Sequence, residues 1–179
     1  MQVNKTQVKE KITELKELSV QDEDGQFIIG SVEQQEAARK VEMLLLCTGA
    51  ARDVELTAAA LLALVDIQVR DYAMGLVNSD NFNHYQRTFK WLTKMAPVDY
   101  TKAPTSILAL TYYESGNNEL ALTTLKPALN KGYSLAILLK RVVETGWPLG
   151  AFAGMRIELH PKVTAGIFGE ETNDNSNKK

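Results

Sequence analysis

The sequence predicts an all-α fold, a stack of helical hairpins of about seven helices. Three observations predict it. Apolar residues recur at three- and four-residue spacing over most of the chain. Strand-like alternation is nearly absent. Short clusters of Gly, Asn, Asp, Ser and Pro punctuate the helical stretches at the spacing of helix–helix connections.

The elements follow in order. Val8, Ile12, Leu15 and Leu18 line one stripe of a first helix, with Lys and Glu around the rest. The acidic run Gln21 to Gly25 breaks it, and Phe27-Ile28-Ile29 reads as an extended segment or a plug under the helices. Ser31 begins the next helix, with Gln34 at the spacing of a capping box. Ala37, Ala38, Val41, Leu44 and Leu45 form its buried face, and Thr48-Gly49 is expected to end it. Asp53 is the N-cap of a long helix carrying Leu56, Ala60, Leu64, Ile67 and Val69, apolar nearly all round, which belongs in the centre of the fold and fades at Asn78. After the turn Asn78 to Asn81, a helix with Phe82, Tyr85, Phe89 and Leu92 runs to the stop at Pro97.

Pro104 fits the first turn of a further helix that reaches Ser115. Gly116-Asn117 is a tight reversal. The next helix runs towards Leu129, where Pro127 is expected to bend it or end it early. Ser134 reads as the cap of a last clear helix through Leu135, Leu138, Leu139 and Val142, ending at Gly146. Beyond Pro148 several glycines interrupt any sustained period. Residues 1–168 read as one helical domain, with N-terminal helices over 1–50 and a core over 53–146; the polar stretch 169–179 reads as a disordered tail.

With 179 residues, 45% apolar and 23% charged, the chain can bury a core without disulfides or metals. Its net charge of −2 disfavours a general nucleic-acid binder. The charged N-terminus lacks the apolar core of a signal peptide, no stretch is long enough for a membrane span, and the lone Cys47 fits a cytoplasmic setting.

The segment from Leu108 to Gly132 places Ala109 opposite Ala121, small enough to let two helices approach. Tyr112 and Leu125 fill the space beside them, and Gly116 makes the reversal. This pattern resembles one tetratricopeptide hairpin, with Leu125 where an aromatic is usual and Tyr133 where a proline is usual. A broader resemblance is carried by Arg70-Asp71, Leu108 to Tyr113, Gly116-Asn117, Ala121 to Leu129, Tyr133 to Ala136, and Gly146-Trp147-Pro148. Together they are similar to the C-terminal part of an actinobacterial family of unknown function, number four-one-nine-two, over the second half to two-thirds of the chain. The chain departs from that pattern at Pro127 and in lacking the family's Ala/Arg-rich composition. The resemblance implies a fold and an actinobacterial or phage source, and no activity.

Chemistry-bearing patterns are sparse. His84 and His160 are far apart and outside any zinc-ligand spacing; His84 reads as a surface helix residue and His160 as a loop residue before Pro161. No nucleophile elbow, phosphate loop or dinucleotide fingerprint occurs. The expectation is no catalytic residue, no metal and no cofactor. Asp66 and Arg70 stand one turn apart and read as an ion pair fixing helix register, or as a charge pair lining a groove. Arg87, Trp91 and Lys94 share one face of the Phe82 helix, a basic-aromatic surface for an acidic partner or a nucleobase. Tyr112 and Tyr113 are the further candidate contacts. The functional expectation is a non-catalytic interaction module or adaptor acting on a protein partner or by self-association, with a nucleic-acid-associated regulator as the alternative.

Overall fold

A computed structural model describes residues 3–18, 30–47 and 53–169. Among them are nine α-helices and no strand: α1 Lys5–Leu18, α2 Val32–Leu46, α3 Val54–Ala63, α4 Ile67–Gly75, α5 Phe82–Met95, α6 Lys102–Glu114, α7 Asn118–Leu129, α8 Ser134–Glu144 and α9 Leu149–Phe168. A single 3₁₀ turn, Val98–Tyr100, precedes α6. The segment Phe27 to Ile29, Gly49 and the tail beyond Gly169 lie outside the described residues.

The caps show why the helices begin where they do. The Ser31 hydroxyl accepts from Gln34 N at 3.0 Å, and the Asp53 carboxylate accepts from Leu56 N at 2.7 Å. Each satisfies a first-turn donor that has no partner within its own helix. Gln34 completes only half a capping box, because its side chain accepts from Gly30 N at 2.7 Å and donates to Asp66. At α8 the capping position falls on Tyr133, not Ser134, and no side chain caps the helix. Helix α2 ends at Leu46 with Cys47 in extended conformation, so it ends before the expected Thr48-Gly49 stop.

Nine helices replace seven for two reasons. The long helix after Asp53 is two. Its last turn tightens at Val65 and Asp66, whose N–H groups bond three residues back to Leu62 and Ala63. The Asp66 carboxylate then accepts from Val69 N at 2.9 Å and starts α4. The second addition is α9, which spans a stretch expected to be irregular and contains Pro161. Its inward stripe is Phe152, Arg156, His160, Val163 and Ile167, spaced four, four, three and four. Helix α7 does not end early at Pro127 but runs on to Leu129; in this last turn the proline removes a single backbone bond, the one to Thr123 O.

The centre is shared by α3, packed between α1 and α2, and α6, which touches α5, α7, α8 and α9. Helix α6 is buried from Ala103 to Thr111 and again at Tyr113. It forms a hairpin with α7 across the Gly116 turn. Ala109 and Ala121 are both buried there, and Gly116 has φ +81°, a conformation that favours glycine. Helix α9 closes the other side against α4, α2 and α6. Its approach to α4 needs Gly75: a Cβ there would lie 2.0 Å from His160 Nδ1.

Candidate functional site

Asp66 and Arg70 do not pair. Asp66 is buried as the N-cap of α4 and accepts from Gln34 Nε2 at 3.3 Å. Arg70, also buried, turns the other way. Its Nε and Nη2 donate to Asp71 at 2.8 and 2.7 Å, and its Nη1 donates to the Tyr133 hydroxyl at 3.2 Å. The expected Asp66–Arg70 ion pair does not form; Arg70 pairs with its neighbour Asp71, and through Tyr133 it links α4 to the start of α8. Burial works against the charge of Arg70, but Tyr133 and Asp71 outweigh it and hold the guanidinium above its ordinary range.

Arg70 forms one wall of a cavity of about 230 Å³ at the break between α3 and α4. Leu61, Leu64, Val65, Ile67 and Ala103 supply its apolar side. Tyr100, Lys102, Tyr133 and Ser134 supply the polar side, together with Asp99.

The face built from Arg87, Trp91 and Lys94 is present on the outside of α5. Arg87 and Lys94 are exposed, whereas Trp91 is half-buried and packs against the core. His84 is not a free surface residue: its Nε2–H donates to Leu45 O at 2.5 Å and ties α5 to the end of α2. Of the two tyrosines, Tyr112 is half-buried and Tyr113 is 1% exposed. Tyr113 is a core residue whose hydroxyl donates to Trp147 O at 2.6 Å, so it presents no side chain to a partner.

The α6–α7 turn instead carries an apolar surface that the sequence reading did not single out. Leu149 lies over Gly116, its Cδ1 3.7 Å from where a Cβ would stand. Trp147 is held beside it through its carbonyl. Leu120 opens α7 just after Asn117, whose side chain caps that helix. These three residues are 43%, 45% and 38% exposed respectively. Helix α9 adds exposed Ile157 and Leu159 on its flanks.

Two polar clusters secure α9 beneath this surface. Arg156 donates to both Glu114 oxygens at 3.2 and 2.9 Å, and its Nη1 donates to Met74 O at 2.5 Å and Val77 O at 2.7 Å. It thus caps the carboxyl end of α4, where a cation is favoured. His160 stacks on Tyr72 at 5.3 Å between centroids. The expected loop histidine is thus a half-buried helix residue. Burial and the Arg156 charge lower its pKa, with Glu42 opposing. Burial and Glu42 push Tyr72 up to about 12.

The His160 shift has a testable consequence. An imidazole with a folded pKa below its unfolded value of about 6.5 takes up its proton more readily when unfolded. Its contribution should therefore be full above that value and fall away as pH drops below it. Between pH 7.5 and 5.5 the wild-type melting temperature is expected to fall more than that of His160→Gln. Parallel pH profiles would contradict this assignment.

Among the described residues no three of His, Cys, Asp and Glu are grouped to hold a metal ion. No described helix is long and apolar enough to cross a membrane. The sequence model of the family described as "Domain of unknown function (DUF4192)" matches residues 4–148. The chain belongs to this family. The DUF4192 match extends to the N-terminal helices, well beyond the C-terminal portion that the sequence motifs marked. It ends where α9 begins. No curated protein and no solved structure matches the chain.

Proposed function

We propose that this DUF4192 protein is a non-catalytic helical interaction module, with a single tetratricopeptide-like hairpin, α6–α7, as its centre. The observation that carries this reading is the group of exposed large side chains, Leu120, Trp147 and Leu149, on the elements that meet at the hairpin turn. Large apolar side chains grouped on a surface mark contact sites, and a tryptophan at the centre of such a group supplies much of the binding energy where a partner covers it. The buried polar groups support the same reading. Arg156, Glu114, Asp66 and Gln34 are spent on joining helices to one another.

The test is the double substitution Trp147→Ser with Leu149→Ser. Both side chains are exposed, so the variant should keep the wild-type circular dichroism and nearly the wild-type melting temperature. In affinity capture from the native host with quantitative mass spectrometry, it is expected to lose the proteins that the wild type retains. Light scattering shows whether a second copy is the partner. Unchanged capture together with unchanged mass in solution would exclude this surface.

A further inference from the structure

Arg70 is an expensive residue to bury unless its donors are used. A guanidinium has five N–H groups. The bonds to Asp71 and Tyr133 use three, and two are left facing no acceptor among the described residues. The same cavity gathers further polar groups. Tyr100, Lys102 and Ser134 line it, and none of their side chains makes a hydrogen bond or ion pair among the described residues. Apart from Asp99, the rest of the lining is apolar and includes half-exposed Ile67. This combination of one buried planar cation, a second cation, hydroxyl groups and aliphatic lining is the composition of a ligand site built beside the helix joint. Arg156 differs in degree: its bonds to Glu114, Met74 O and Val77 O use four of its five N–H groups, one more than Arg70 uses.

We propose that this cavity binds a monocarboxylate carried on a small aliphatic body, with Arg70 and Lys102 receiving the carboxylate and Ile67 and Ala103 facing the hydrocarbon. The fork of an arginine matches the two oxygens of a carboxylate. Charge selects the monoanion. Asp71 offsets Arg70 and Asp99 is also in the lining, so the local charges nearly balance, and a doubly charged phosphate, which costs far more to desolvate than a monoanion, gains no attraction to offset that cost. Size selects a small body, since the cavity of about 230 Å³ is below the range of drug-sized sites. The carboxylate has two possible sources, a free short-chain acid or the C-terminus of a peptide ending in an aliphatic residue.

The experiment titrates the full chain with 4-methylpentanoate, followed by methyl and amide NMR, with 4-methylpentanamide as the neutral control. A second pair of arms uses a tripeptide ending in leucine, with a free and with an amidated C-terminus. Saturable shifts at Ile67 and Ala103 with the acid and not the amide are expected. A response to the short acid alone identifies a small metabolite site; a response to the free-terminus peptide as well identifies a chain terminus. Lys102→Met, which removes a charge without touching the Arg70 joint, should weaken binding on the order of tenfold. Arg70→Gln should abolish it, and Lys102→Met keeps the test decisive if Arg70→Gln does not fold. No saturation up to tens of millimolar overturns the proposal. So do equal shifts with acid and amide, or an affinity unchanged in Lys102→Met.

Discussion

Replacing Arg156 with alanine is expected to cost about 3–5 kcal/mol of stability, the range for removing one partner of a buried charge pair. Three losses coincide. Glu114, whose side chain is 7% exposed, is left as an unpaired carboxylate. The carbonyls of Met74 and Val77 lose their donor, and the carboxyl end of α4 loses its cation. The melting temperature should fall by about 10 °C or more for a chain of this size. The double change Arg156→Met with Glu114→Gln should recover part of the loss, because it removes both charges together. Thermal unfolding of the two variants checks both statements; a single variant within about 1 kcal/mol of wild type would show that α9 is not held by this cluster.

Tyr113→Ala is the second large effect, expected to cost about 3–5 kcal/mol as a buried aromatic truncation. The ring lies within the core between α6 and its neighbours, and its hydroxyl is the donor to Trp147 O that fixes the chain's entry into α9. Tyr113→Phe separates the contributions. It keeps the packing and loses one hydrogen bond, so about 1 kcal/mol is expected. Chemical denaturation measures both. An alanine variant as stable as the phenylalanine variant would move Tyr113 out of the core and back among the surface candidates.

These two residues show where the sequence was legible and where it was not. Ser31, Asp53 and Gly116 could be assigned because their roles are local: a cap bonds three residues on, and a left-handed turn needs a particular residue. Helix α9 was illegible because its buried stripe contains Arg156 and His160. Charged and polar residues read as solvent-facing until their partners are known. The partners of Arg156 lie 42 and up to 82 residues away, on α6 and at the end of α4. His160 is accommodated only because residue 75 is glycine. The sequence signal was there in the four, four, three, four spacing, but Pro161 and three glycines spoke against it.

The same reasoning separates Tyr112 from Tyr113. Adjacent aromatics on a helix point about 100° apart, and the one the core takes, Tyr113, has its hydroxyl partner 34 residues away at Trp147 O. The split between α3 and α4 was likewise hidden by apolar residues on both sides of Asp66. Its meaning as a cap depends on Val69 N and on Gln34 from another helix. The Arg70 cavity draws on residues from α3 to α8, so no window of sequence contains it.

The interaction surface can be tested most directly by hydrogen–deuterium exchange on the protein in complex with a captured partner. Protection is expected at the α6–α7 turn and the first turns of α7 and α9, around Leu120, Trp147 and Leu149. Protection confined to the Arg87 to Lys94 face of α5, with the hairpin turn unchanged, would contradict it.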